Sequence, residues 1–275
     1  MLALYRMKII APSEIKTDDM GRAVHGLFFR LLSEVDPALA DRIHASSHKP
    51  FCIWPLDNAA VQIAALEPAL QEAMEGIAAH RFNDITFAAR PVDVTLQYDR
   101  SIDPHFVWEG FQGLNSLGNL RIQYLSPTSF RRDGVQELFP EPGLVFRSLY
   151  KKTAAICGEW LTQETAPPDE FVPHIRVARY DLQTIEAGFD RYKIIGCQGN
   201  VIYDCRRLNL PAYRRTVALL AAMAPFIGIG YKTTMGMGRV ECELEGGVGE
   251  MGVKRCGKPA REASACKKSG RVSRP

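Results

Sequence analysis

Gly228-Ile-Gly-Tyr-Lys-Thr-Thr-Met-Gly-Met-Gly-Arg239 is the stretch from which the rest of the chain can be interpreted, because it holds four glycines within eleven residues. Glycine permits positive φ and close approach of a backbone to a ligand, and the N–H groups of such a loop can bind a phosphate. A nucleotide-binding P-loop is excluded, because Tyr231 separates Gly230 from Lys232. Moreover, Met237–Leu244 alternates like a strand where a P-loop continues into a helix. Two interpretations remain: a phosphate-binding loop, and a tight turn whose glycines serve packing only.

The composition is that of a globular protein with a substantial core. The chain has 275 residues, enough for one large domain or two of ordinary size, and 46% of them are hydrophobic. No apolar run reaches the length of about 18 residues that a transmembrane helix needs, and the N-terminus lacks the order of a signal peptide. The seven cysteines are scattered, with no C-x-x-C, which argues against disulfides or a zinc site and predicts a cytoplasmic protein without membrane contact.

The charge is unevenly distributed along the chain. The net charge is +3, but residues 246–275 contain eight basic and two acidic residues, so the remainder is slightly acidic. The composition of this tail, rich in Gly, Lys, Arg and Ser, predicts a disordered basic segment that attracts RNA non-specifically or only aids solubility. Any nucleic-acid surface on residues 1–245 must therefore be a local patch.

The N-terminal half has the order β, α, β, β, α, β, which is typical of a ferredoxin-like domain. Asp18 and Asp19 can cap its first helix, and Asp36 with Pro37 begins a second, short helix. The predicted elements are a strand at Leu2–Ile10, helices to about Ser33 and from Pro37 to near His44, strands at Phe51–Leu56 and Val61–Leu66, a helix at Glu67–His80, and strand-like runs at Ile85–Leu96 and Phe106–Phe111.

The C-terminal half repeats the same order. Its predicted elements are strands at Leu120–Ser126, Pro173–Ile185, Tyr192–Cys205 and Met237–Leu244, with helices at Leu144–Leu161 and Leu210–Ala224. A hairpin turn is expected at Gly199-Asn200. The predicted fold class is therefore α+β, with two tandem ferredoxin-like (βαββαβ) domains at residues 1–115 and 120–245, followed by the disordered tail at 246–275.

Three histidines, His25, His44 and His48, lie within one helix–helix–loop segment, and Lys49 follows the last of them. A histidine of near-neutral pKa beside a lysine, without a metal-ligand pattern, suits general acid–base attack on a phosphodiester. The alternative for His44 is that it caps the C-terminus of its helix, where a cation is favoured.

Ser126, Thr128, Arg131 and Arg132 form a second candidate site, since hydroxyls and arginines at a strand end can hold RNA phosphates. The alternative is a solvated turn. A further pair of arginines, at positions 176 and 179, is expected on opposite faces of one strand, so that at most one faces a given ligand.

Taken together, residues 1–245 resemble the CRISPR-associated endoribonucleases of the Cas6 type, in the repeat-associated RNA-binding (RAMP) superfamily. The resemblance is carried by the glycine-rich stretch, by the run from His25-Gly-Leu-Phe-Phe-Arg to Asp-Arg-Ile-His44, and by Leu125-Ser-Pro-Thr-Ser-Phe-Arg131. It implies tandem ferredoxin-like domains and metal-independent cleavage of CRISPR repeat RNA in a precursor transcript, with no cofactor. Attack by a ribose 2′-OH would leave a 2′,3′-cyclic phosphate and a 5′-OH.

The resemblance also implies residue roles. The family's catalytic histidine corresponds to His44 and its lysine to Lys49, whereas Phe29 stands where some members have a tyrosine. Two alternatives follow: His48 or His25 substitutes for that hydroxyl, or one histidine suffices. The implied RNA-binding loop residues are Gly228, Gly230, Lys232, Thr233, Gly236 and Gly238. The alternative function is a non-catalytic repeat-RNA-binding subunit that joins other subunits of an interference complex. A metal-dependent nuclease would need clustered carboxylates at ligand spacing, which the sequence lacks.

Overall fold

A computed structural model describes residues 1–12, 19–189, 192–245 and 253–255 of the chain. None of the helices in these ranges is long and apolar enough to cross a membrane.

The first sheet has the strand order and direction of a ferredoxin-like domain. Asp19 begins the first helix by accepting a hydrogen bond from the Arg22 N–H (2.9 Å). The elements are β1 (Leu2–Ile10), α1 (Met20–Val35), α2 (Pro37–Ala45), β2 (Phe51–Pro55), β3 (Ala60–Ala65), α3 (Pro68–Ala79), β4 (Thr86–Phe87), β5 (Arg90–Pro91), β6 (Asp93–Ile102) and α4 (Pro104–Gly110). The order β6-β1-β3-β2, antiparallel throughout, follows because each helix crosses over one strand before the chain returns to the sheet.

The second sheet repeats this arrangement. Its elements are β7 (Asn119–Thr128), β8 (Phe130–Arg132), β9 (Val135–Glu137), α5 (Pro142–Cys157), α6 (Glu159–Glu164), α7 (Pro168–Phe171), β10 (Arg176–Phe189), β11 (Tyr192–Asp204), α8 (Pro211–Ile227) and β12 (Val240–Leu244). The antiparallel order β10-β11-β7-β12 is equivalent to that of the first sheet, with β8 and β9 as a separate hairpin. The prediction of two tandem ferredoxin-like folds is confirmed.

The predicted tail, residues 246–275, lies outside the described residues except for one short strand. Residues 253–255 form β13, which pairs antiparallel with β6 opposite residues 100–102. This segment adds an outer strand to the first sheet.

The strand predicted at Phe106–Phe111 is wrong, because this segment is helix α4. Asp103 caps the helix by accepting hydrogen bonds from the backbone N–H groups of His105 (2.9 Å) and Phe106 (3.4 Å), and Pro104 occupies the first turn. A short apolar run does not distinguish strand from helix, whereas the Asp-Pro start signal does. The fourth strand of the domain is β6 instead.

The hairpin turn predicted at Gly199 is also wrong, because this glycine lies inside β11. Its φ of 130° and a shift in register next to it mark an irregularity in the ladder, where glycine is often used. Pairing of β10 with β11 continues to Phe189 opposite Tyr192.

A second irregularity changes which arginines share a face. The register shifts between Val177 and Arg179, so that Arg176 lies opposite Asp204 and Arg179 lies opposite Ile202. Positions 202 and 204 are on the same face of β11, and therefore both arginines are on one face, contrary to the expectation of opposite faces.

Helix α8 joins the two domains. One face of the first sheet packs on α1 and α3, and the other face contributes Leu2, Leu4 and Trp54 to the same core as α8. This explains why α8 is apolar on most of its sides, with ten buried residues. The glycine-rich stretch begins at Gly228, directly after α8 ends. Because α8 packs against the first sheet, this stretch lies at the edge of the first domain.

Candidate active site at the domain junction

The four glycines of the stretch all have positive φ, and Gly228, Gly230 and Gly238 also have backbone neighbours too close for a Cβ. Their φ angles are 63°, 79°, 94° and 75° in chain order, and Lys232 between them has a φ of 56°. A Cβ on Gly228 would lie 2.8 Å from both Gly238 O and Trp54 Cζ2, and one on Gly230 would meet Ser129 O. Only glycine meets both requirements, positive φ and absence of a side chain, so packing alone accounts for these residues.

The N–H groups of the same glycines are used inside the protein. Gly228 N donates to Ala224 O (2.9 Å), Gly236 N to Ile53 O (3.0 Å) and Gly238 N to Pro127 O (3.1 Å). Gly230 N donates to Ser148 Oγ (2.9 Å). The expectation that these amides bind phosphate directly is therefore corrected: the glycines shape the loop, and other groups must contact a ligand.

The loop docks on the first domain through its 3-10 turn, Thr233–Met235, and the residues that follow it. The Trp54 indole N–H of β2 donates to Met237 O (2.9 Å). On α1, a Cβ on Gly21 would collide with Met235 O, so α1 and the turn are in backbone contact. His25 lies one helical turn beyond Gly21, on the same face of α1.

His25, Phe29 and His44 form a connected group at this junction. The Phe29 ring lies between the two imidazoles, with centroid distances of 5.0 Å to His25 and 5.4 Å to His44. Phe29 follows His25 by one turn of α1, and His44 is in the last turn of α2, which folds back because Asp36 caps α2 directly after α1 ends. The His44 residue is exposed.

Lys49 holds the end of α2. Its Nζ donates to Ile43 O (2.8 Å) and His44 O (2.7 Å), two of the terminal carbonyls that a helix leaves without internal partners. The capping cation is therefore Lys49, and the imidazole of His44 is not needed for that purpose. Since the ammonium binds the backbone of His44 itself, Lys49 fixes the position of that histidine.

Positive groups from both domains surround His25. Burial is the main cause that lowers the pKa of His25, and the nearby Lys49, His44 and Lys232 lower that pKa further. Neutral imidazole is thus favoured at this position, and it can accept a proton or donate one hydrogen bond. Lys232 comes from the glycine-rich loop, so the electrostatic environment of His25 depends on both domains.

An aromatic group surrounds the Lys232 amine. Its Nζ lies 4.6 Å from the ring centre of Phe189, 5.3 Å from Tyr192 and 5.4 Å from Tyr231. Such contacts attract a cation without using its N–H donors for oxygen. Arg131, an exposed residue, lies over the same Tyr231 ring, 5.2 Å from its centre.

The remaining predicted site residues have other environments. Thr128 and Thr233 are buried, and Ser126 Oγ accepts a hydrogen bond from Arg239 N (2.9 Å), so these three side chains support the loop. Arg132 is exposed and forms an ion pair with Glu141. His48 is exposed in the loop after α2, where its Nδ1 lies 3.3 Å from Ser47 Oγ, outside the group formed around Phe29.

The aromatic residues around Lys232 were not predicted from the sequence, nor was the contact that Lys152 of α5 makes with the loop at Thr233. The only sequence signal for Phe189 and Tyr192 was their position near the ends of two predicted strands. Within the described part of the chain, no group of three or more His, Cys, Asp or Glu side chains is arranged to hold a metal ion.

Two tandem ferredoxin-like folds with a glycine-rich loop before the last strand are a RAMP-like fold, the class that the sequence resemblance implied. Comparisons narrow this class. The family model for the CRISPR Cas6 N-terminal domain matches residues 4–80, and the model for the CRISPR-associated endoribonuclease Cas6 matches residues 122–240. The chain belongs to the family of CRISPR-associated endoribonucleases Cas6.

Individual relatives agree with this assignment. A CRISPR-associated endoribonuclease Cas6 of Mycobacterium tuberculosis (strain CDC 1551 / Oshkosh) is 22% identical over 249 residues, covering 86% of this chain and 76% of that protein. A solved Cas6 product complex has a TM-score of 0.70 at 20% identity, covering 88% of this chain and 100% of that one. Thermus thermophilus Cas6 has a TM-score of 0.66 at 21% identity, covering 88% and 98%. At these identities the solved structures establish the fold.

Proposed function

We propose that this protein cleaves CRISPR repeat RNA in a precursor transcript to release guide RNAs, without a metal ion. The observation that carries the proposal is the group formed by His25, Phe29 and His44 at the domain junction, where the charge of Lys232 from the second domain also acts on His25. Membership of an endoribonuclease family and the likeness to a solved Cas6 product complex support repeat RNA as the ligand. The free, unpaired cysteines among the described residues fit a reaction in the cytoplasm.

In the proposed mechanism the ribose 2′-OH upstream of the cut attacks the phosphorus in line. His44 transfers a proton, either from the attacking hydroxyl or to the leaving 5′-oxygen, because it is the exposed imidazole of the group. His25, which burial and its cationic neighbours keep neutral, can accept the proton of the attacking 2′-OH when His44 supplies the proton to the leaving 5′-oxygen. The products are a 2′,3′-cyclic phosphate and a 5′-OH.

Lys49 and Lys232 have different roles in this mechanism. Lys49 is already bonded to the carbonyls at the end of α2, so its role is to hold His44 in position. Lys232, held by aromatic rings whose contacts do not consume its donors, is the cation that stabilises the charge on the phosphorane. Arg131 and Arg132, both exposed, contact phosphates away from the cut.

The second candidate is a repeat-RNA-binding subunit of an interference complex that does not cleave. Phe29 favours it, because a ring without a hydroxyl separates the two imidazoles where some family members have a tyrosine. Both candidates share the fold and the RNA-binding loop, so only the chemistry separates them.

Incubation of the full chain with repeat RNA in excess EDTA tests the proposal. We expect cleavage with 2′,3′-cyclic phosphate ends. A matched RNA with one 2′-deoxy nucleotide 5′ to the cut should bind with nearly unchanged affinity, since many phosphate contacts provide it, but should not be cleaved. Binding without cleavage of either RNA supports the second candidate, and cleavage of the deoxy RNA or a requirement for Mg²⁺ overturns the mechanism.

A further inference from the structure

Lys152, on α5, is a lysine that the proposed chemistry does not use, and its amine is directed at the buried end of α8. Its Nζ lies 3.3 Å from Ile227 O, 3.2 Å from Gly228 O and 3.4 Å from Thr233 Oγ1. The first two are terminal carbonyls of α8, where the helix dipole favours a positive charge. The third belongs to the glycine-rich loop. An ammonium group has three N–H donors, so the number of acceptors matches its protonated form.

Thr233 connects this lysine to the rest of the loop. It is buried, with 8% of its surface exposed, and its methyl group fills the space that a Cβ on Gly228 or Gly238 would occupy, at 2.8 and 2.9 Å. Its neighbour Lys232 has the strained left-handed backbone conformation that begins the 3-10 turn. A shift of Thr233 therefore moves the turn that contacts α1 next to His25.

We propose that Lys152 is a positioning residue of the cleavage reaction, whose ammonium group clamps the glycine-rich loop to the end of α8 and so holds in place Lys232 and the turn that contacts α1 at Gly21. This inference rests on the proposed function. It concerns a residue that does not contact RNA, and it predicts an effect on the rate of the chemical step with little effect on RNA affinity. Displacement of a catalytic group by about 1 Å lowers a rate by as much as 100-fold.

The protonation of Lys152 makes the clamp sensitive to pH. Burial lowers the pKa of Lys152 from its ordinary value of 10.5 to about 8. Among the described residues, the titratable group whose charge acts on Lys152 is the Cys52 thiol of β2. Burial raises the pKa of Cys52, so that this thiol remains neutral in the same range. As pH rises through about 8, Lys152 loses its charge and one N–H donor, and the clamp weakens.

The free energy of unfolding should rise with pH in the range where the cleavage rate falls. Between about pH 8 and 10.5 the unfolded chain binds the Lys152 proton more tightly than the folded chain does, so the contribution of Lys152 to stability becomes more favourable as pH rises. A loss of cleavage in this window therefore does not arise from unfolding at this group.

The test compares the full-length wild type with two variants. Lys152→Arg stays positively charged throughout the pH range, and Lys152→Met carries no charge at any pH. Lys151→Met is the matched control, because Lys151 is an exposed lysine on the same helix. We measure single-turnover cleavage and RNA affinity from pH 6.5 to 9.5. The ratio of the wild-type rate to the Lys152→Arg rate cancels the titration of the histidines. We expect this ratio to fall above about pH 8, and Lys152→Met to be roughly 10- to 100-fold slower at pH 7 with near wild-type affinity.

A second measurement needs only the wild type. The Trp54 indole N–H donates to the loop at Met237 O, so its NMR signal reports loop position. We expect this signal to titrate near pH 8, and it keeps the proposal testable where a variant fails to fold. A constant rate ratio, together with a Trp54 signal that does not titrate, overturns the proposal. Wild-type protein that cleaves no RNA would overturn the proposed function instead, while the Trp54 titration would still decide whether Lys152 controls the loop.

Discussion

Gly238→Ala is expected to destabilise the protein for two reasons. The backbone at Gly238 has a positive φ, and an added Cβ would collide with neighbouring atoms. Gly238 has a φ of 75°, and alanine at such an angle costs about 1–2 kcal/mol. An added Cβ would lie 2.1 Å from Ile229 O and 2.9 Å from Thr233 Cγ2, so the two backbone segments must separate. That separation breaks the hydrogen bonds from Ile229 N to Gly238 O (2.9 Å) and from Gly238 N to Pro127 O (3.1 Å).

Each of these hydrogen bonds contributes about 1 kcal/mol net, so the loss in free energy of unfolding should be about 3–4 kcal/mol in total. Gly134→Ala is the matched control. Gly134 has a similar φ of 83° in the turn between β8 and β9, but a Cβ there would have no neighbour within 4 Å. Its substitution should cost only the backbone strain, about 1–2 kcal/mol.

Urea unfolding of the wild type and both variants measures the difference directly. Single-turnover cleavage measured on the folded proteins should also be slower for Gly238→Ala than for Gly134→Ala, because the loop carries Lys232. If both variants lose the same free energy of unfolding, the close contact with Ile229 does not matter, and the packing explanation of the glycine-rich stretch is refuted.

His44→Ala should lower the single-turnover cleavage rate by about 10²- to 10⁴-fold, the usual loss for a general acid or base. His48→Ala, its exposed neighbour, should cleave near the wild-type rate, and the reverse ranking would assign the proton transfer to His48. Lys49→Met should lower the rate less than His44→Ala does, since it loosens the end of α2 but retains the imidazole; weaker RNA binding at an unchanged rate would contradict this. Phe29→Tyr should raise the rate, because it adds a hydroxyl to a ring that contacts both histidines, whereas an unchanged rate would mean that they need no third group.

The order of secondary structure, and through it the fold, was predictable from the sequence. Hydrophobic periodicity and capping residues such as Asp36-Pro37 are local signals, and each ferredoxin-like domain follows from a local order of elements. Reliance on local signals also explains the two wrong predictions of secondary structure. The segment at Phe106–Phe111 is too short for periodicity to decide between strand and helix, and Gly199 resembles a turn residue unless the neighbouring strands are known.

The histidine cluster was predictable in part. His25, His44 and Lys49 are close in sequence, and two helices joined at Asp36 bring them together almost without help from the rest of the chain. What the local sequence did not reveal is that the ammonium of Lys49 binds the carbonyls of α2. Helix ends always need partners, but which cation provides them depends on side-chain geometry.

The sequence by itself determined the two domains, the catalytic candidates and the glycine-rich loop, because these depend on interactions between neighbours in the chain. Only the tertiary structure decided which contacts the glycine-rich loop makes. Its amides bond to Ser148, Ile53 and Pro127, which are remote in sequence, and its Lys232 meets Phe189 and Tyr192. The bulge near Val177 likewise places two arginines on one face. Long-range packing and strand register set these contacts, and neither leaves a signal in a local stretch of sequence.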